Sequence, residues 1–211
     1  MISGAAYGVV LNDARQRERL AEAFCAPPYR APPKAPVLYI KPRNCFRFGG
    51  APVPLPPELA EVEVAATLGL LLARDLAAAE PADVWASVGA MCLAIDVCEP
   101  HDSFYRPAVR QRCRDGFLPL GPFTASSPQV GEIITDIDGG EAHRWSLDRL
   151  HRPIETLAAE ISAFMTLCAG DLLLVGLAGD APRARAGQTV TVRARGLPSL
   201  TTRLEAESEA T

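Results

Sequence analysis

Residues 93–122 read LAIDVCEPHDSFYRPAVRQRCRDGFLPLGP. An apolar run with the look of a buried strand stops on an acid, Asp96. A turn bearing Glu99, His101 and Asp102 follows, then the aromatic pair Phe104 and Tyr105. Arginines stand at 106, 110, 112 and 114, and Asp115-Gly116 opens a Pro/Gly-rich exit. From Arg106 to Asp115, four arginines against one aspartate leave a local charge of +3 in a chain of net charge −4. This is a local anion-binding signal rather than a global one.

Working outward, Val88 to Asp96 is the strand that delivers this segment. Glu61 to Ala73 alternates and then turns almost wholly apolar (VAATLGLLLA), as expected of a central strand covered on both faces. Leu76 to Trp85 reads as a short helix or turn, with Pro81 near its start. Further upstream, Val37 to Ile40 is a strand ending at Lys41. Cys25 to Pro36 is too proline-rich for regular structure and is expected to be a wrapping arm. Ala6 to Leu11 is a strand, and Asn12 or Asp13 caps a helix running to about Phe24. Downstream, Val130 to Ile137 and Glu141 to Trp145 form a hairpin about Asp138-Gly139-Gly140. Pro153 to Leu167 is the best helix, with Ile154, Leu157, Ala158, Ile161, Phe164 and Met165 as its apolar stripe and Gly170 as its stop. Asp171 to Gly176, Thr189 to Ala194 and Leu200 to Glu207 are strands, the last two joined by a turn at residues 196–199. The pattern predicts a mixed α/β, strand-dominated fold in one domain over residues 1–211, with 1–36 as an amino-terminal strand, helix and arm.

A chain of 211 residues with 48% hydrophobic and 22% charged residues can bury a sizeable core. Its mild acidity argues against nucleic acid as a partner. The start, MISGAAYGVV, lacks a basic region and a long apolar core, and no run reaches the length of a membrane span. The six cysteines form no CxxC pair and are expected to be reduced, in a cytoplasmic protein.

Three groups of residues are candidates for chemistry. Glu61 and Glu63, two apart on a strand, share a face, and Asp96 from the next strand would complete a carboxylate triad for Mg²⁺ or Mn²⁺. The alternative is a solvated strand entrance and a strand-end acid. Arg106, Arg112 and Arg114 could grip a dicarboxylate, or form a solvated face paired with the acidic turn. Lys41 is either an exposed strand-end lysine or a site residue. His101, beside Asp102, is a candidate base or a surface histidine; His143 and His151 carry no assigned role.

The segments VVLNDARQ, APPKAPVLYIKPRN, LAIDVCEP, SFYRP…CRDGF and ISAFMTLCAGDLLLVG together resemble the fumarylacetoacetate hydrolase family. The closest likeness is to the amino-terminal half of its isomerase/decarboxylase branch in 4-hydroxyphenylacetate (homoprotocatechuate) degradation. The resemblance implies a β-roll or sandwich with a few short helices. It implies action on small 2-oxo or enol diacids, with Mg²⁺ or Mn²⁺ held by an ExE pair and a later Asp. Domains of the family pair, within one chain or as subunits.

Asp96 matches the third ligand, Lys41 the polar position before the metal pair, and Arg112 a substrate-side lysine. Counted back from Asp96 without a gap, however, the ExE positions fall on Ala65 and Thr67. Gln16 and Arg19 stand where competent relatives carry a lid His and Glu, and VGLAGDAP replaces a late GTP signature. The expectation is therefore a subunit that binds no metal itself. It would serve 2-hydroxyhepta-2,4-diene-1,7-dioate isomerisation and 5-oxopent-3-ene-1,2,5-tricarboxylate decarboxylation beside a homologous metal-bearing partner. Two alternatives stand: an independently active enzyme using Glu61, Glu63 and Asp96, and a non-catalytic homodimer that binds an anionic metabolite through Lys41, Arg106, Arg112 and Arg114.

Overall fold

The computed structural model describes residues 2–125 and 130–207. The strands, in chain order, are β1 (Ala6–Val10), β2 (Val37–Lys41), β3 (Phe46–Phe48), β4 (Val53–Leu55), β5 (Val62–Leu72), β6 (Val88–Cys98) and β7 (Leu118–Leu120). They continue as β8 (Thr124–Ala125), β9 (Glu132–Ile137), β10 (Gly140–Ser146), β11 (Leu172–Leu174), β12 (Arg183–Ala184), β13 (Thr189–Ala194) and β14 (Leu197–Ala206). The α-helices are short: α1 (Ala14–Arg19), α2 (Ala21–Cys25), α3 (Val84–Ser87), α4 (Val109–Arg112) and α5 (Ile154–Ser162). The architecture is the expected strand-dominated one.

β5 and β6 are the spine. Each spans 11 residues, and they pair antiparallel from Glu63–Cys98 to Leu71–Ala90 before a bulge. Their near-continuous apolar sequence fits a sheet covered on both faces. They lie inside a nine-stranded sheet whose main path runs β2-β1-β11-β5-β6-β7-β3. A five-stranded sheet, β10-β9-β13-β14-β4, packs over one face. There Leu68, Leu93 and Ile95 meet Ile133, Trp145, Val190 and Leu204 in the main core. On the other face, Cys92 and Ala94 join Cys45, Leu118, Leu120 and Leu172. Asp96 is on that second face by the two-residue alternation of a strand.

Several boundaries differ from the sequence reading. The first helix breaks at Leu20 into α1 and α2, although Asp13 does cap it by accepting from the Arg15 N–H. α5 ends at Ser162 rather than Leu167, and Phe164 is exposed instead of joining the apolar stripe. The chain leaves the helix because Leu167 exchanges backbone hydrogen bonds with Leu76, a tertiary pairing that outweighs helix propensity. Gly170 is therefore not the helix stop; at φ +91° it forms the turn before β11. β14 begins at Leu197, so the turn is the two-residue Arg195-Gly196, with Gly196 at φ +81°. In the other hairpin the turn contracts to Asp138-Gly139, both with positive φ, and Gly140 opens β10.

Cys45, Cys92 and Cys98 are buried, and burial pushes each thiol up to about 12, whereas Cys25 and Cys168 are exposed. A thiol reagent at pH 8 is expected to label Cys25 and Cys168 promptly and the buried three only on unfolding, since the thiolate is the reactive form; mass mapping of labelled peptides over time checks this. Leu93→Ala, in the main core, is expected to cost about 3 kcal/mol, read from urea unfolding.

Candidate functional site

The centre of the site is a buried ionic triad. Asp96 is fully buried near the end of β6, and directly opposite it on β5 stands Ala65. Asp96 Oδ1 accepts from Arg112 Nη1 at 2.9 Å and lies 3.3 Å from Lys41 Nζ. Its Oδ2 accepts from the Tyr39 hydroxyl at 2.5 Å. Lys41, 1% exposed, donates to the carbonyls of Val97 (2.9 Å), Arg112 (2.6 Å) and Phe117 (2.9 Å). These three bonds use all the ammonium protons, and they tie together the end of β6, the end of α4 and the entry to β7. Lys41 is thus neither exposed nor free for a ligand; it holds the frame.

Arg112 reaches this position from α4, which Lys41 anchors through the Arg112 carbonyl. Its guanidinium carbon lies 4.8 Å from the centre of the Tyr39 ring, a stacking geometry that suits arginine rather than lysine. Burial opposes the charge of Arg112, but Asp96 and then Tyr39 hold its pKa above the ordinary value. Desolvation, then Asp96, raises Tyr39 well above the usual phenol range. Tyr39 owes its place to a glycine. It is in register with Gly8, where an added Cβ would sit 2.0 Å from the tyrosine ring. Tyr39 and Gly8 were missed in the sequence; the in-register Gly–Tyr pair across two adjacent strands was the available signal.

A cavity of about 370 Å³ opens beside the triad, lined in part by Glu63, Ala65, Asp96, His101 and Arg112. Burial raises the Glu63 pKa against the opposing pull of Arg112 and Arg183. Burial, then Arg112, lowers that of His101, whose Nε2 lies 3.5 Å from Arg112 Nη2. The His101 loop is fixed by the arm, because the Phe104 N–H donates to the Tyr29 hydroxyl at 2.8 Å. Gln16 and Arg19 of α1 also border the cavity, and Arg19 donates to the Gly179 carbonyl at 2.8 Å. Asp13, the α1 cap, is ion-paired to Arg149 at 2.6 Å and accepts from the Gly179 N–H. The helix is thereby strapped to the 177–181 loop at the cavity's rim.

The other sequence candidates go elsewhere. Glu61 pairs with Arg183 (2.7 Å) and Arg185 (3.7 Å), and the Arg183 hydrogen bond lowers its pKa. Arg114 pairs with Glu58 and Glu99. Arg106 is exposed and borders a second cavity, not this one. Thr67 is buried and donates to the Gly176 carbonyl at 2.6 Å. His143 pairs with Asp180.

The donor set does not fit a divalent cation. Ala65 offers no oxygen, the Thr67 hydroxyl is engaged, and Asp96 is already neutralised by two cations. Among the described residues no group of three or more His, Cys, Asp or Glu side chains could hold a metal ion, so Glu61, Glu63 and Asp96 do not gather into one. What the cavity does offer is a guanidinium edge, an imidazole and a carboxyl of raised pKa, suited to a small carboxylate and to proton exchange rather than chelation.

The fumarylacetoacetate (FAA) hydrolase C-terminal family matches residues 5–205. The chain belongs to the fumarylacetoacetate hydrolase family. It is 37% identical to the 4-hydroxyphenylacetate degradation bifunctional isomerase/decarboxylase of Salmonella dublin over 99% of this chain and 48% of that protein. It is 36% identical to the Escherichia coli protein of that name over 100% and 49%. The chain thus spans about half the length of these curated relatives. Its fold superposes on the 5-carboxymethyl-2-hydroxymuconate delta-isomerase of Mycobacterium smegmatis with a TM-score of 0.82 at 22% identity, covering 98% of this chain and 78% of that one. The fold is also that of a Pseudomonas aeruginosa fumarylpyruvate hydrolase solved with Mn²⁺ and pyruvate, with a TM-score of 0.82 at 18% identity over 97% and 90%. No helix among the described residues is long and apolar enough to cross a membrane.

Arg112→Met leaves buried Asp96 with Lys41 as its one cation, beside the Tyr39 hydroxyl, and is expected to cost about 3–5 kcal/mol in chemical denaturation. An NMR titration of His101 is expected to give a midpoint below about 6.5. Because the folded state then binds fewer protons than the unfolded one, this residue's contribution to stability falls as pH drops below about 6.5. His101→Gln removes that part of the slope in urea midpoints measured across the window.

Proposed function

We propose that residues 1–211 form one fumarylacetoacetate-hydrolase-like domain serving as the amino-terminal-type half or subunit of a cytoplasmic isomerase/decarboxylase of 4-hydroxyphenylacetate degradation. The reactions are 2-hydroxyhepta-2,4-diene-1,7-dioate isomerisation and 5-oxopent-3-ene-1,2,5-tricarboxylate decarboxylation. The relatives over the full chain carry that activity in their names and are about twice as long. The single observation that carries the division of labour is Ala65 opposite Asp96, with Asp96 held by Arg112 and Lys41.

In this reading a homologous partner carries Mg²⁺ or Mn²⁺ and the metal-dependent chemistry. This chain supplies a stable mate of the same fold. Arg112 and His101 line the cavity, His101 held by the Ser103 carbonyl and by Arg112, and a carboxylate of the dicarboxylate or tricarboxylate metabolite would exchange the weak 3.5 Å Arg112–His101 contact for its own. Lys41 acts through the backbone it holds, and Arg114 through its surface pairs. Arg106 lies outside the cavity.

Calorimetric titration of the purified chain with Mn²⁺ is expected to show no saturable binding. Turnover of either acid is expected only when the metal-bearing partner is present. Saturable Mn²⁺ binding that disappears in Glu63→Ala, together with turnover by the chain alone, would overturn the reading in favour of an independently active enzyme.

A further inference from the structure

One cation at the cavity beside the triad has no role in the reading above. Arg19, on α1, borders the cavity from an exposed position, whereas Arg112 borders it from a buried one. The Arg19 guanidinium donates one hydrogen bond, from Nη2 to the Gly179 carbonyl at 2.8 Å. It has no carboxylate partner among the described residues, so most of its donors are free. Arg17 on the same helix is engaged differently. It donates to the Leu11 and Pro33 carbonyls and lies over the Phe24 ring.

The helix that carries Arg19 is seated on a single glycine. Gly179 lets α1 approach closely, because a Cβ there would run into the Gln16 side chain. The Gly179 N–H donates to Asp13, the α1 cap, which Arg149 holds in turn. Residues 13, 16 and 19 therefore all meet Gly179, and the Arg19 guanidinium is placed before any ligand arrives, which lowers the cost of binding one. The charge of the cavity wall turns on this residue. In the buried triad two cations against one carboxylate leave +1. Glu63 lies 4.0 Å from Arg183, and burial, then Arg112, keeps His101 neutral at pH 7. Asp102, which has no ion pair among the described residues, cancels the +1 of the triad. Arg19 is what leaves the wall positive.

We infer that Arg19 is a second carboxylate anchor that makes the cavity select diacids over monoacids, one carboxylate meeting Arg112 on the buried side and the other meeting Arg19 at the rim. The inference rests on the carboxylate site proposed above and adds the residue that sets its selectivity. A guanidinium matches a carboxylate with two parallel hydrogen bonds, so each arginine recognises one end of the ligand. Val10, Ala65 and Leu177 of the same cavity offer apolar surface to the carbon chain. A monoacid on Arg112 leaves Arg19 with water and gains nothing from it.

The test is calorimetric titration of the full chain with matched acids at one pH and ionic strength: succinate against butyrate, glutarate against valerate, adipate against hexanoate. Wild type, Arg19→Met and Arg19→Lys are compared. Arg19 is exposed, so circular-dichroism melts of both variants are expected to match wild type. In wild type at least one diacid is expected to bind about tenfold or more tighter than its monoacid, the gain from one charge-assisted pair. Arg19→Met should bring that ratio close to one while leaving the monoacid affinity unchanged, and Arg19→Lys, which keeps the charge, should retain part of it. If wild type binds monoacids and diacids alike, or the ratio survives in Arg19→Met, Arg19 is not an anchor and the inference is overturned while the carboxylate site stands. If Arg19→Met weakens both acids equally, Arg19 only seats α1, and the inference is overturned again. If wild type binds none of the six acids, the carboxylate site proposed above fails and takes the inference with it.

Discussion

One buried carboxylate sets the terms for much of this molecule. Asp96 sits where two long strands pair, out of contact with water, and an uncompensated charge there would be costly. Lys41 and Arg112 supply the compensation, and each brings structure with it. Lys41 carries the end of β2 against the Val97 carbonyl of β6 and the Arg112 and Phe117 carbonyls beyond it. Arg112 carries α4, stacks on Tyr39 and borders the cavity. Asp96 therefore faces a guanidinium, an ammonium and a phenol.

The same geometry explains why the fold was largely legible in the sequence and the site only in part. β5 and β6 are long, apolar and bounded by acids, so length and composition sufficed. The Asp138-Gly139 hairpin declared itself through a turn residue pair with a single structural meaning. The errors fell where tertiary contacts overrode local preference. α5 has the sequence to continue past Ser162, but Leu167 is claimed by Leu76. Nothing local to residues 153–167 encodes that competition.

Site residues were harder because charge does not specify a partner. Four arginines in one short segment looked alike in sequence. In the fold, Arg112 is buried against Asp96, Arg114 pairs with Glu58 and Glu99, and Arg106 and Arg110 are exposed. In the register Ala65 is the direct neighbour of Asp96, while Glu63 pairs with Cys98. Tyr39 was invisible because its role depends on an absence, the missing side chain of Gly8. Only pairing two strands in register reveals that space.

The clasp made by Lys41 also separates what must be conserved in shape from what is free to change. Both ends of the 97–117 segment are bonded to one ammonium group, as a covalent cross-link would join them. Between those bonds only Tyr105 to Ala108 run without a tie to the core, and that short stretch can vary in length at little cost to the sheet, since loop-closure entropy changes slowly with length. A fold arranged in this way can acquire a new recognition surface without renegotiating its core.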